Sequence, residues 1–306
     1  MKFKHALQLF AGVGLVLLAT SHWFPLGVYS LELLGAFAHF TLLLSVVFLV
    51  VSVVLNLRVL LVLAAAATLI SGVLVIPHFL SSTFTGTPNF SIGQFNLYHH
   101  NPTPNAAIET LVQADADIFA IQELNSNWKP LVDSAFAISH PYRLENHWES
   151  CCYGLGFYSR FPIVSSNKLY FGEIPYYEVT VEVESQPIQL ICFHTQAPAF
   201  PNKTPGRDQQ MLEVANMVSR GSNTIVFGDL NIVPWDPKFN DFLTLAGLTP
   251  IRGGFQATYP MDFKVPLIPI DHIAYSGGAL QPASCEVLSI PGSDHRGLIA
   301  SFRIKE

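Results

Sequence analysis

Charged residues are nearly absent from the first quarter of this 306-residue chain. Lys2, Lys4, Glu32 and Arg58 are the only charged residues before residue 82. No other charged residue lies between Lys4 and Glu32, between Glu32 and Arg58, or between Arg58 and Glu109. A helix needs about 20 consecutive apolar residues to cross the hydrocarbon core of a bilayer, and each interval holds a run near that length. The sequence therefore predicts three transmembrane helices. They cover residues 6–24, 33–55 and 59–78.

The first apolar run has a second interpretation, a cleaved signal peptide, because Lys2 and Lys4 precede it and residues 19–21 (Ala-Thr-Ser) resemble a small-residue cleavage site. The two later runs favour a multi-pass anchor, which explains all three runs together. Positive charge marks cytoplasmic segments, and Arg58 lies between the second and third runs. We therefore expect a multi-pass protein of the cell (inner) membrane whose chain after residue 80 is extracytoplasmic.

The chain after residue 81 has the composition of a soluble, acidic domain. It carries 13 basic and 21 acidic residues, a formal net charge of −8 with His neutral. Nucleic-acid-binding proteins need a surplus of Lys and Arg against phosphates, so stable nucleic-acid binding is not expected, although a local basic patch is compatible with this composition. We divide the chain into a membrane domain (1–80), a polar, turn-rich linker (81–89) and one folded domain (90–306).

One motif in the folded domain combines a buried strand with two polar side chains. The apolar run at residues 224–227 ends at Gly228-Asp229-Leu230-Asn231. Side chains alternate along an extended strand, so Asp229 and Asn231 are predicted to face the same way. A Gly-Asp pair after a strand is often only a turn, and the motif gains weight from similar endings elsewhere in the chain.

Acid, amide or imidazole side chains follow five further predicted strands at the point where each strand ends or begins. These residues are Asn96, Glu123 after Gln122, His194, Asp271 with His272, and Asp294 with His295. One such residue is usually solvated or capping, but a series of them indicates convergence on one cleft. Carboxylate and carboxamide oxygens suit Mg²⁺ or Mn²⁺. Zinc is less favoured, because the sequence contains no Cys-x-x-Cys or His-x-x-x-His spacing.

These motifs, in this order, resemble the endonuclease/exonuclease/phosphatase family over about residues 88–306. The three N-terminal apolar runs resemble a bacterial membrane-anchored subgroup that includes proteins associated with teicoplanin resistance. The resemblance implies an α/β (α+β) fold, a four-layer sandwich of two mixed β-sheets flanked by helices. It also implies a metal-dependent phosphoric ester hydrolase.

The resemblance also implies a role for each residue. Glu123 is the main metal ligand, with Asn96 and Asp294 beside the metal. Asp229 orients or deprotonates the attacking water, and Asn231 holds a phosphoryl oxygen. His295 contacts the scissile phosphate and is oriented by Asp271, while His194 lies near the leaving group. The sequence leaves open whether Asp229 or His295 takes the proton.

The expected substrate is a lipid-linked phosphate, pyrophosphate or phosphodiester, because membrane attachment raises the effective concentration of lipid headgroups and the acidic domain disfavours long polyanions. Two alternatives remain open. One is an extracytoplasmic nuclease or small-molecule phosphatase that is merely tethered to the membrane. The other is a catalytically inactive binding module, which is disfavoured because none of the matched positions is substituted.

The four cysteines are Cys151, Cys152, Cys192 and Cys285. An extracytoplasmic domain permits disulfides. Cys192 lies in an apolar strand and is predicted to be a buried thiol, so the adjacent pair Cys151 and Cys152 is the expected place for redox chemistry. Four free thiols are the alternative.

Overall fold

The computed structural model describes residues 2–21, 29–149, 152–198, 204–218, 221–261 and 267–305. The chain divides into two units. The first consists of Met1–Leu80 and Val233–Asn240, and the second of Ser81–Ile232 and Asp241–Glu306. The first unit thus includes a short segment from the middle of the chain, which the sequence did not indicate.

The described residues of the N-terminal part of the first unit form four helices and a short 3₁₀ helix. They are α1 (Lys2–Thr20), α2 (Tyr29–Ala36), α3 (Ala38–Val54), α4 (Arg58–Val75) and the 3₁₀ helix Ile76–Phe79. Leu15 of α1 is buried with Leu60, Ala64 and Ala67 of α4. Large apolar side chains elsewhere on these helices are exposed, such as Leu43 (60%) and Leu69 (68%). Such surfaces suit a lipid environment better than water.

Two of the three predicted spans have helices that are long and apolar enough to cross a membrane, Phe3–Thr20 and Arg58–Phe79. The predicted second span, 33–55, is not one helix, because Phe37 has non-helical dihedral angles between α2 and α3. With 17 residues, α3 rises only about 25 Å, less than the roughly 30 Å thickness of a hydrocarbon core. The end of the predicted first span falls within residues 22–28, which lie outside the described residues.

Trp235 is the large side chain that the middle segment brings to the first unit. It is 1% exposed, and its indole N–H donates a hydrogen bond to the carbonyl oxygen of Gly35 at 2.9 Å. The rings of His39 and His78 lie 5.4 and 6.0 Å from the Trp235 ring. The segment Val233–Asn240 is therefore packed with the N-terminal helices.

The second unit contains two six-stranded mixed sheets. The first sheet has the order β11-β12-β1-β2-β4-β3. Its strands are β1 (Phe90–Asn96), β2 (Ile118–Gln122), β3 (Tyr142–Asn146), β4 (Leu155–Ser159), β11 (Leu280–Ser289) and β12 (Arg296–Ile304). The pair β1 and β2 is parallel, and the other pairs are antiparallel.

The second sheet has the order β5-β6-β7-β8-β10-β9. Its strands are β5 (Ile163–Phe171), β6 (Ile174–Val183), β7 (Gln186–Phe193), β8 (Thr224–Asp229), β9 (Thr249–Pro250) and β10 (Asp271–Ser276). Here β7 and β8 are parallel, and the remaining pairs are antiparallel.

The helices of this unit are α5 (Pro104–Ala114), α6 (Lys129–Phe136), α7 (Thr204–Met217) and α8 (Pro237–Ala246), the last of which begins in the segment assigned to the first unit. Apolar side chains of α5 and α6, such as Leu111 and Phe136, pack with Phe119 of β2 in one core. On the second sheet, the ring of Phe193 lies 6.4 Å from that of Phe242 on α8. Two mixed sheets flanked by helices confirm the predicted fold class.

A larger core joins the two sheets and explains how polar groups reach one edge. On β1 the core contains Phe90 and Ile92, and on β8 it contains Ile225 and Phe227. Because the side-chain period of a strand is two, the next residues on the same faces are polar. These residues are Gln94 and Asn96 on β1 and Asp229 on β8. The interior is thus apolar along most of its length and polar where these strands end.

Two local features go beyond the sequence analysis. The expected linker, 81–89, is hydrogen-bonded to the folded domain, since Ser82 N–H donates to the carbonyl of Arg252 and Thr85 N–H donates to that of Pro282. The elements β3 and α6 were not predicted. The strand β3 escaped prediction because its side chains are exposed or half-buried and include Arg143 and Glu145, so that it lacks an apolar run.

The cysteines differ in state. Cys152 is disulfide-bonded, whereas Cys192 and Cys285 are buried free thiols. Cys151 lies outside the described residues. The prediction of a buried thiol at Cys192 is confirmed, and the alternative of four free thiols is wrong.

Candidate active site

The site lies where the parallel strands of both sheets end. Asn96 is opposite Gln122 in the register of β1 and β2, so Glu123 leaves the first sheet beside Asn96. In the second sheet, His194 follows β7 and Asp229 ends the neighbouring β8. The carboxyl ends of parallel strands share one edge, which explains why residues from distant parts of the sequence meet.

Gly228 allows the neighbouring strands β7 and β8 to approach each other closely just before this edge. Its φ is 151°, and a Cβ at this position would lie 1.9 Å from the carbonyl oxygen of Phe193. Any other residue would force β7 and β8 apart at the point where His194 and Asp229 emerge. The glycine in the Gly-Asp motif is therefore required by packing as well as by backbone conformation.

Asp229, Asp271 and His295 form a buried charged group. Asp229 and Asp271 occupy directly opposed positions of the antiparallel strands β8 and β10. His295 Nδ1 lies 3.0 Å from Asp271 Oδ2, and His295 Nε2 lies 3.6 Å from Asp229 Oδ2. All three side chains are at most 4% exposed. The imidazole thus bridges two carboxylates that would otherwise repel each other.

The environment separates the pKa values of these groups. Burial alone would lower the pKa of His295, but Asp271 and Asp229 together raise it to about 10. Burial would raise the pKa of Asp271, but the charge of His295 and its hydrogen bond hold the pKa of this carboxyl below its usual range. Burial and the charge of Asp271 raise the pKa of Asp229 to about 6. At neutral pH, His295 is therefore an imidazolium and Asp271 is its counter-ion.

Glu123 is held by Asn96 at the end of β1 and by His99 in the turn that follows this strand. Its Oε1 accepts a hydrogen bond from Asn96 Nδ2 at 3.1 Å, and its Oε2 accepts one from the backbone N–H of His99 at 2.9 Å. The ring Nδ1 of His99 lies 2.6 Å from the same Oε2. Burial would raise the pKa of Glu123, but His194 and the hydrogen bonds from His99 and Asn96 lower it. Glu123 therefore remains ionised although it is buried.

The donor set fits a hard divalent cation. Asn96 Nδ2 donates to Glu123 and also to Asp229 Oδ2 at 3.2 Å, so one neutral side chain joins two buried carboxylates. The carboxylates of Asp229 and Asp271 also lie close together, with one oxygen of each and one ring nitrogen of His295 within 4.8 Å of one another. The single imidazolium does not balance Glu123, Asp229 and Asp271. A cation would neutralise this excess of negative charge. Asn96 presents its nitrogen to the carboxylates, because its Oδ1 accepts the N–H of Tyr98 at 3.0 Å, so its role as an oxygen ligand stays a prediction.

The remaining predicted residues surround this cluster. His194 Nε2 lies 3.4 Å from Asp229 Oδ2, and its buried Nδ1 has no hydrogen-bond partner among the described residues. Asn231 donates its backbone N–H to Asp229 Oδ1 at 3.0 Å and its Nδ2 to the carbonyl of Thr195 at 3.1 Å. Asp294 is half-buried, and its charge helps to raise the pKa of His295.

The structure thus places all eight predicted residues at one edge of the two sheets. Direct contacts join Asn96, Glu123, His194, Asn231, Asp229, Asp271 and His295 in a continuous network. Asp294 is attached to this network as the chain neighbour of His295. Their individual roles stay predictions.

Three side chains at the site were not predicted. Gln94 is fully buried and donates its Nε2 to Asp271 Oδ1 at 2.7 Å. Period two on β1 could have indicated it, since it precedes Asn96 by two residues. No sequence signal distinguished His99 from the other loop histidines. Tyr153, whose ring lies 5.5 Å from that of His194, belongs to a segment without a recognisable motif.

Comparison with known proteins agrees with this geometry. A family model described as the Endonuclease/Exonuclease/phosphatase family matches residues 93–295. No curated protein matches this chain significantly.

Similar solved structures include TDP2 of D. rerio complexed with a single-strand DNA product, with 17% identity, a TM-score of 0.59 and coverage of 70% of this chain and 98% of that one. A family protein from Bacteroides thetaiotaomicron has 14% identity, a TM-score of 0.59 and coverage of 73% and 97%. Beta toxin from Staphylococcus aureus has 14% identity, a TM-score of 0.53 and coverage of 69% and 99%. At these identities the likeness shows the fold alone.

The charge on His295 predicts a pH dependence of stability. Its pKa is raised from 6.5 to about 10 on folding, so the stabilisation is fully present below about pH 6.5 and is lost as the pH rises towards 10. Thermal melts of the metal-free protein in detergent should show this effect as a difference in melting temperature between wild type and His295→Gln. The difference should be largest near pH 6.5 and should shrink as the pH rises towards about 10. A difference that stays constant would contradict an imidazolium at this position.

Proposed function

We propose a specific role for this chain, which belongs to the endonuclease/exonuclease/phosphatase family. It is a membrane-anchored phosphoesterase that acts outside the cytoplasm. Its substrate is a lipid-linked phosphate, pyrophosphate or phosphodiester. Members of the family are metal-dependent phosphoric ester hydrolases, and this activity is assigned to the chain with the family. The specific role, substrate and location are our proposal. The observation that carries it is a buried cluster of Glu123, Asp229, Asp271 and His295 on a chain with membrane-compatible helices.

The residues that would hold Mg²⁺ or Mn²⁺ are Glu123, Asn96 and Asp294. When bound, such an ion supplies charge neutralisation at the phosphoryl oxygens. Asn231 supports this arrangement because its backbone is fixed in the left-handed region (φ 48°) beside Asp229. In that position its carboxamide can orient a phosphoryl oxygen.

The ionisation states support one assignment of the proton transfer. A general base must be able to accept a proton near neutral pH, and an imidazolium cannot. His295 is already protonated between Asp271 and Asp229, which makes it a hydrogen-bond donor to the scissile phosphate. Asp229, whose pKa is raised to about 6, is the group that takes the proton of the attacking water. In this proposal, the choice that the sequence left open falls to Asp229.

The substrate class rests on charge and on the membrane helices. The chain after residue 81 is acidic at a net charge of −8, which disfavours long polyanions such as DNA. Exposed apolar side chains on α3 and α4 suit acyl or polyprenyl chains of lipid. An enzyme held at a bilayer meets lipid headgroups at high effective concentration. We propose that this concentration, rather than a basic groove, recruits the substrate.

The substrate proposal predicts a preference that can be measured. The full-length protein with Mg²⁺ or Mn²⁺, in detergent or vesicles, should hydrolyse a phospholipid or polyprenyl phosphate faster than DNA. Asp229→Asn and His295→Ala should each lower this activity by roughly a hundredfold or more, since each removes a group used in proton transfer or charge stabilisation.

The matched control is Asp241→Asn, which removes an exposed carboxylate on α8 and should leave the activity unchanged. Efficient cleavage of DNA, without turnover of any phospholipid or polyprenyl phosphate, would favour the tethered nuclease and contradict the lipid substrate.

The proposed location has its own test. A phosphatase reporter that is active only outside the cytoplasm, fused after residue 80, should be active, and a fluorescent protein that folds only in the cytoplasm should be dark at the same place. The physical reason is the position of Lys2, Lys4 and Arg58 on the cytoplasmic side. The reverse pattern would place the catalytic unit in the cytoplasm.

A further inference from the structure

The backbone around Tyr153 is fixed beside the predicted metal ligand Glu123. Leu124, the residue after Glu123, donates its N–H to the carbonyl of Gly154 at 3.2 Å and accepts the N–H of Trp148 at 3.0 Å. A Cβ on Gly154 would lie 1.6 Å from the carbonyl oxygen of Leu124. These contacts leave room for glycine alone at position 154 and hold Trp148 and Gly154 against the turn at Glu123. Tyr153 is thus held in place by its neighbours in the chain.

The side chain of Tyr153 lies beside His194. Its half-buried ring lies 5.5 Å from the ring of His194 and 6.0 Å from that of Trp148. On the other side of Asp229, the ring of Tyr259 lies 4.7 Å from that of His295. The contacts therefore run in the order Tyr153, His194, Asp229, His295 and Tyr259, with one tyrosine at each end of the cluster.

The phenol of Tyr153 keeps its proton. Burial raises its pKa, and the charges of Glu123 and Asp229 raise it further, so both carboxylates lie within electrostatic reach of the hydroxyl. The backbone of Ala197 donates a hydrogen bond to the phenol oxygen, which opposes this rise without reversing it. The O–H hydrogen remains as a donor beside a cluster of catalytic groups.

The position of this donor indicates which substrate atom it meets. In phosphoryl transfer, the attacking and leaving oxygens lie roughly in line on opposite sides of phosphorus. In this order of contacts, Asp229, which is proposed to take the proton of the attacking water, and His295, which is proposed to contact the scissile phosphate, lie on one side of His194, whereas Tyr153 lies on its other side. A neutral donor there would stabilise the negative charge that develops as the bond from phosphorus to the leaving oxygen breaks.

We propose that the Tyr153 hydroxyl donates a hydrogen bond to the leaving-group oxygen of the substrate, as a further catalytic residue of this site. The inference rests on the proposed phosphoesterase function. Tyr153 keeps its proton throughout, so no covalent step belongs to it. The need for this hydrogen bond grows with the basicity of the leaving oxygen, which separates this role from ring packing or general support of the fold.

The experiment uses the full-length protein in detergent and two phosphodiesters that differ only in the leaving group, p-nitrophenol or a simple alcohol. Tyr153→Phe removes the hydroxyl and keeps the ring. Its kcat/KM should fall by about tenfold for the alkyl ester and by less than about twofold for the p-nitrophenyl ester, with KM nearly unchanged. The control is Tyr170→Phe, which removes a hydroxyl from a 49% exposed ring on β5 and should change neither rate.

Thermal melts check the fold, and Tyr153→Phe should melt within about 2 °C of wild type. An equal loss on both esters would assign Tyr153 a packing or binding role, and no loss on either would remove it from catalysis. Both results overturn the inference while leaving the proposed function intact. Inactivity of the wild-type protein on both esters would overturn the proposed function and this inference together.

Discussion

Two carboxylates face each other on neighbouring strands at the sheet edge that forms the candidate active site. Asp229 and Asp271 are cross-strand partners of β8 and β10, and both are buried. Like charges in directly opposed positions destabilise a sheet, and burial adds a desolvation penalty. This cost is partly offset by His295, whose ring nitrogens face both acids, and by Gln94, which donates a hydrogen bond to Asp271. The arrangement is costly for stability, and function gives the reason for keeping it.

The apolar core is what makes this arrangement possible. Phe227 and Ile273 occupy the same faces of β8 and β10 as the two acids and are at most 1% exposed. Their packing fixes the positions of the two strands from which the charged groups project. The same apolar surroundings strengthen the attraction between Asp271 and the His295 imidazolium. His295 therefore keeps its proton at neutral pH, while Asp229 can accept one.

The sequence was sufficient for the strand ends and insufficient for the loops. A continuous apolar run located β8 and its end at Asp229, because a strand that is buried on both faces needs apolar side chains throughout. The alternation expected of an extended strand does not apply to Asn231, because β8 ends at Asp229 and Asn231 has a left-handed backbone (φ 48°). The contact between His99 and Glu123 depends on the left-handed backbone at Glu123 (φ 62°), which no pattern of residue types encodes. Tyr153 was missed for a similar reason, since its position depends on hydrogen bonds to Leu124 from a segment distant in sequence.

The membrane unit shows the same division. Hydropathy located α1 and α4, because length and composition alone decide whether a helix can span a bilayer. It did not reveal the break at Phe37, where no proline or charge marks the interruption between α2 and α3. Nor did it assign Trp235 to this unit, because the residue follows the catalytic motif in sequence and its indole hydrogen bond to Gly35 is a tertiary contact.

The most direct test of this account is metal binding by the full-length protein in detergent, measured by titration with Mn²⁺ and detection of free ion by electron paramagnetic resonance. Wild type and the surface control Glu286→Gln, on β11, should bind Mn²⁺ alike. Glu123→Gln keeps the size and hydrogen bonding of the side chain but removes its charge, and should weaken binding by about tenfold or more. Equal binding by Glu123→Gln and wild type, or no binding by wild type, would contradict the assignment of this edge as the metal-dependent catalytic centre.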